Sequence, residues 1–165
     1  MLMSVATIVS SCQKDKYQPK GDYQPAGDYG NGTITYSNTV NLTGWTSDYD
    51  DGTNFTFHID VLWSSITSWV KDNGIVMVYA KSGAEWVALP ANFSGSGYSI
   101  SYNFSFDVGK VTIEASGYDT PSPNTVDFDG TLVRIVVISE AGKLANPNVN
   151  YNDYNEVKRI FNLKD

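Results

Sequence analysis

The chain has 165 residues, a net charge of −7, 41% hydrophobic residues and only 18% charged ones, with 11 Tyr, 7 Phe and 4 Trp. So aromatic a composition excludes disorder over most of the length and lacks the Ala, Glu, Lys and Leu bias of a coiled coil. A nucleic-acid binder needs a basic stripe, and none is visible. The length suits one domain with a short tail, large enough to bury a core without disulfides or metals.

The first feature in chain order is the short apolar run Leu2 to Val9, followed by Ser10-Ser11-Cys12. Such a run is too short to cross a bilayer as a helix, which takes about 20 residues. It fits the apolar region of a secretory signal peptide. Val9-Ser10-Ser11-Cys12 resembles the bacterial lipoprotein lipobox: an aliphatic residue, two small residues, then the cysteine that is lipidated. The resemblance implies a signal peptide over residues 1–11, cleavage before Cys12 and acylation of Cys12. One departure is that no Lys or Arg precedes the run. The alternative is a buried first strand with an ordinary core cysteine. Cys12 is the chain's one cysteine, so no internal disulfide is available. Each buried acyl methylene contributes about 0.8 kcal/mol, and two chains already anchor a protein stably. Gln13-Lys14-Asp15-Lys16 resembles the charged stretch that sends lipoproteins of the Bacteroidota to the outer face of the outer membrane. The expected location is therefore the outer membrane, lipid-anchored and facing the cell exterior.

Residues 12–31 read as the lipidated cysteine and a flexible tether. From Gln13 onward the stretch holds Pro19, Pro25 and three Gly, with no aliphatic residue beyond Ala26. As a coil it spans roughly 25 Å on average. Gly21-Asp22-Tyr23 recurs as Gly27-Asp28-Tyr29, too short an echo for a solenoid. Residues 32–165 then read as one folded domain.

From Thr33 the dominant period is two. Ile34 with Tyr36, and Val40 with Leu42, mark short strands. Trp45 leads into an expected loop from Thr46 to Asp51. Phe55, Phe57, Ile59, Val61 and Trp63 alternate as a strand with one buried face. Ser64 or Ser65 can cap a short helix carrying Ile66, Trp69 and Val70, stopped at Asn73-Gly74. Trp63 and Trp69 fit core positions. Ile75 to Tyr79 is continuously apolar, as expected of a strand covered on both faces. Ser82-Gly83 turns it into Trp86-Val-Ala-Leu-Pro90. Tyr98, Ile100, Tyr102, Phe104 and Phe106 share one strand face, and the chain returns through Asp107 to Lys110 into Val111, Ile113 and Ala115. That is an antiparallel hairpin over residues 98–116. Leu132 to Ile138 is a second continuous apolar run, broken by Arg134, whose charge requires a carboxylate partner or a route to solvent. Asp153 caps a C-terminal helix with Glu156 at capping-box spacing. Tyr154, Val157 and Phe161 form its apolar stripe, which is expected to pack on the sheets. The predicted fold is all-β: an antiparallel β-sandwich of about eight strands with a short internal helix and a C-terminal helix.

Three segments together resemble a group of uncharacterised lipoprotein and secreted domains of the Bacteroidota. They are Ile75-Val-Met-Val-Tyr79 leading into Trp86-Val-Ala-Leu-Pro90, then Arg134-Ile-Val-Val-Ile138, then Asp153-Tyr-Asn-Glu-Val-Lys158. The resemblance covers roughly residues 55 to 165. It implies a β-sandwich and carries no assigned activity.

Chemistry-bearing residues are few. His58, the single histidine, lies on the strand face opposite Phe57 and Ile59. A catalytic triad would need it beside a serine and a carboxylate, and no Gly-x-Ser-x-Gly elbow occurs. One histidine and one lipidated cysteine do not make a zinc site. Asp48, Asp50 and Asp51 form one acidic cluster, Asp127 and Asp129 another. Each cluster ends in Gly, as turns do. The rival readings are glycosidase carboxylates and, for Asp48, Asp50 and Asp51, a calcium loop. The spacing departs from an EF-hand, with Gly52 one position early. Trp45, Tyr49 and Tyr118 are candidates for stacking on a ligand, the alternative being that these rings cover the ends of the sandwich. The sequence thus predicts a non-enzymatic surface lipoprotein without a cofactor, binding an extracellular glycan or protein through loops at one end. The alternatives are a structural subunit of a surface assembly and a hydrolase using loop carboxylates.

Overall fold

The computed structural model describes residues 35–95, 98–123 and 128–164. The signal-peptide, Cys12 and tether expectations, and Asp127, lie outside them. The described chain is an antiparallel β-sandwich. A four-stranded sheet has the order β1 (Thr35–Leu42), β9 (Thr131–Ile138), β4 (Ile75–Ser82), β5 (Glu85–Ala88). A five-stranded sheet has the order β2 (Thr46–Asp50), β3 (Phe55–Leu62), β8 (Lys110–Gly117), β7 (Tyr98–Asp107), β6 (Ala91–Gly95). Three short helices complete it: α1 (Ser68–Asn73), α2 (Glu140–Ala145) and α3 (Tyr154–Phe161).

The alternation of β3 is realised residue by residue. Phe55, Phe57, Ile59 and Val61 are buried between the sheets, while Thr56, His58 and Asp60 face outward and are half-buried. The predicted hairpin is β7–β8, with Asp107 paired to Lys110 across the turn. β9 is apolar on both faces because both are covered. Val133, Ile135 and Val137 enter the inter-sheet core, and Val136 and Ile138 pack under α3 with Tyr79, Tyr154 and Val157. The Asp153 carboxylate accepts hydrogen bonds from the backbone N–H groups of Asn155 and Glu156, starting α3 where the sequence placed it.

Arg134 shares that outer face and is only 5% exposed. Its Nε and Nη2 donate to Thr39 Oγ1 at 3.0 and 2.7 Å, and its Nη1 donates to the Lys164 carbonyl at 3.1 Å and to the Tyr154 hydroxyl. The guanidinium also lies 5.0 Å from the Trp86 ring centroid and 5.4 Å from that of Tyr154. Hydroxyls, a carbonyl and two ring faces are thus among the groups that hold this charge.

Four local expectations are corrected. Residues 46–50 form a strand rather than a loop. β2 is an exposed edge held by backbone pairing to β3, so its side chains carry no buried period. The internal helix is capped by Thr67, whose side chain accepts from Val70 N, rather than by Ser64 or Ser65. That start places Ile66 ahead of the helix and turns Trp69 outward, 54% exposed, away from the core position expected of it. The two short strands predicted around Tyr36 and Leu42 are one continuous β1.

The strand registers define two ends. Leu42 pairs with Thr131, Phe55 with Gly117 and Gly95 with Tyr98 at one end, called here the loop end. Thr35 and Ile75 both pair with Ile138, and Leu62 with Lys110, at the other. α1 closes this second, helix end. Gly109 N donates to Ile66 O and Trp63 N donates to Gly109 O, each at 2.7 Å, stitching the connection to the β7–β8 turn.

Candidate functional site

At the loop end the two sheets part and leave a cleft of about 680 Å³. Its five-stranded wall comes from Phe93 on β6 and from Tyr98, Ile100 and Tyr102 on β7. Its four-stranded wall comes from Ala80 and Lys81 on β4 and from Thr131 and Leu132 on β9. Pro121, Ser122 and Pro123 border it, and Phe128, 3% exposed, sits at its base.

The period-two pattern of β7 explains the aromatic wall. Its inward residues include Tyr98, Ile100 and Tyr102, and exposure rises from 9% at Ile100 to 48% at Tyr98. Tyr98 lies across the strand from Gly95, and a Cβ on Gly95 would collide with its ring. Only glycine lets the ring rest there. Below, Phe128 is surrounded by rings: Trp45 at 5.4 Å, Phe57 at 5.5 Å, Phe55 at 6.1 Å and Tyr102 at 6.2 Å between centroids. These tilted and edge-on contacts make a rigid base. Burial pushes the Tyr102 phenol upward from its ordinary value, opposed by a hydrogen bond with Thr131, so Tyr102 is neutral at physiological pH.

The residues singled out in the sequence are dispersed. Trp45 is 6% exposed, packed on Tyr102 and Phe128, which removes it from the set of exposed stacking residues. It covers the end of the core. Tyr49 and Tyr118 are exposed at 55% and 74%, outside the cleft lining. Tyr49 donates its hydroxyl to Asp51 Oδ2 at 2.8 Å.

The acidic cluster does not converge. Asp48 Oδ2 accepts from His58 Nδ1 at 2.6 Å on the outer face of the five-stranded sheet. Asp50 Oδ1 accepts from Gly52 N at 2.9 Å. Asp51 accepts from Asn54 and Thr53 through both side chain and backbone, as well as from Tyr49. Donation by the Asn54 amide and by the Thr53 and Asn54 backbone holds the Asp51 carboxyl well below the usual carboxylate range. Asp50 and Asp51 thus form a turn whose carboxylates are satisfied by neighbouring donors, while Asp48 pairs with His58. No group of three or more His, Cys, Asp or Glu among the described residues is arranged to hold a metal. Asp129 accepts from Gly44 N at 2.9 Å and ties two loops together.

Sequence reasoning identified the alternating face of β7 but not the cleft. Phe93 carried no signal within a strand of Ser, Asn and Gly. No family model, curated protein or solved structure matches the chain. The functional reading therefore stands on the residues and their geometry.

Proposed function

We propose that this chain is a lipid-anchored outer-membrane surface protein whose β-sandwich binds a ligand, without catalysis, in the cleft at its loop end. The observation that carries the reading is the cleft itself. A concave, ring-lined space of about 680 Å³ lies within the size range of small-molecule sites. The described lining contains no carboxylate, histidine or cysteine to act on a bound substrate. The topology also suits display. β1 begins with Thr35 at the helix end, so the chain bearing Cys12 joins opposite the cleft.

Two measurements test the reading. Cys12→Ala is expected to move the protein from the membrane fraction to the soluble fraction, and retention in the membrane would remove the anchor. A panel of glycans, peptides and apolar small molecules is expected to yield a binder whose affinity falls at least about tenfold in Tyr98→Glu, equivalent to about 1.4 kcal/mol. Binding insensitive to Tyr98 would dissociate the cleft from function.

A further inference from the structure

We infer that the ligand of this cleft is an uncharged apolar small molecule, a hydrocarbon chain or fused-ring body, and not a glycan. The inference rests on the binding reading above and names its ligand class.

The polar groups of the lining decide the matter. A sugar brings many hydroxyls, and each one buried without a partner is costly. The described lining has few free partners to offer. Thr131 Oγ1 donates to Phe128 O at 2.8 Å, and Ser122 Oγ donates to Pro123 O at 3.3 Å. Tyr102 is itself only 9% exposed. Apart from the Tyr98 and Tyr102 hydroxyls and Lys81, the rest of the described side-chain lining is aromatic, aliphatic or prolyl.

Charge narrows the class further. The one ionisable cation among the described lining residues is Lys81, and its ammonium is held elsewhere. It donates to Ala84 O at 2.9 Å and lies 4.9 Å from the Trp86 ring centroid, on the outer face of the four-stranded sheet. In the chain, two acidic residues adjoin the described lining: Asp129 follows Phe128, and Asp119 lies two residues before Pro121. An anionic headgroup, such as the carboxylate of a fatty acid, would find no counter-ion directed toward it among the described lining residues. An uncharged apolar body gains from burial against Phe93, Ile100, Tyr102 and Phe128, whose own shape is already set by their packing.

The test uses the full chain carrying Cys12→Ala, which needs no detergent to compete for apolar probes. N-phenyl-1-naphthylamine, an uncharged fluorophore, is titrated in. Saturable one-site binding is expected, displaced by 1-dodecanol, with dodecanoate at least about tenfold weaker and maltotriose without effect. Tyr98→Glu, at an exposed position where folding is retained, is expected to weaken the probe at least about tenfold. Trp69→Ala, at the far end, is expected to leave it unchanged. Equal or better displacement by dodecanoate would overturn the uncharged class. Failure of the probe alongside Tyr98-dependent binding of an oligosaccharide in calorimetry would overturn the apolar class while sparing the cleft. Failure of every ligand, or probe binding indifferent to Tyr98→Glu, would overturn the inference, and the former would take the binding reading with it.

Discussion

The two ends of the sandwich solve the same problem in opposite ways. At the helix end, the chain from β3 to β4 folds into α1 and seals the gap between the sheets. Ile66 is fully buried there, and Gly74 sits so close to Ile138 that a Cβ would lie 2.7 Å from its carbonyl oxygen. At the loop end no helix or strand among the described residues crosses the gap, and Tyr98 stands half-exposed. The difference teaches that the cleft is a localised departure from close packing, in a fold that closes its other end with one short helix. Stability is therefore expected to reside at the helix end and binding at the loop end.

Matched truncations break or sharpen that division most strongly. Ile66→Ala is expected to cost about 3–4 kcal/mol, because its site is enclosed on all sides. Ile100→Ala, bordered by the cleft, is expected to cost about 1–2 kcal/mol. Urea unfolding measures both, and equal costs would erase the distinction. Glycine substitutions give the next contrast. In Gly74→Ala the new Cβ meets the backbone oxygens of Ile138 and Val70. Because backbone must move, a loss of about 1–3 kcal/mol is expected. In Gly95→Ala the nearest clash is with the Tyr98 ring, the far end of an exposed side chain. There the loss is expected below about 1 kcal/mol, with a clear change in probe affinity.

Acid offers a smaller contrast. The Asp51 carboxyl is held well below its usual range by Asn54 and Thr53, and Asp107 is lowered by Lys71, 2.6 Å away at the helix end, and by Val108 N. A carboxyl lowered in the folded state stabilises above its unfolded value, about pH 4, and loses that contribution as pH falls through the folded value. Melting temperature is thus expected to drop below about pH 4. Asp51→Ala should flatten the drop more than Asp107→Ala, whose exposed ion pair also weakens in salt. The smallest expected effect is Trp69→Ala, within about 0.5 kcal/mol, since the ring is mostly in solvent.

The parts of the fold legible in the sequence are those whose side chains record burial. β3, β7 and β8 alternate because one face meets the opposing sheet. β9 is continuously apolar because α3 covers its other face, and α3 is announced by Asp153 and by the stripe of Tyr154, Val157 and Phe161. Elements defined by backbone pairing left no such record. β2 is exposed throughout, β6 contributes only Phe93 and Ala91 inward, and α2 buries only Gly142. Trp69 was misplaced because the helix starts two residues later than a cap at Ser65 requires. The cleft was illegible for a deeper reason. It depends on how far apart β7 and β9 stand at one end, a distance set by pairings between residues far apart in the chain.

Backbone amide NMR during titration with 1-dodecanol tests the central claim most directly. Saturating shifts confined to the loop end, at Phe93, Tyr98, Ile100 and Thr131, are the expected result. Shifts centred on Trp69 and Leu144 at the helix end, or none at all, would contradict it.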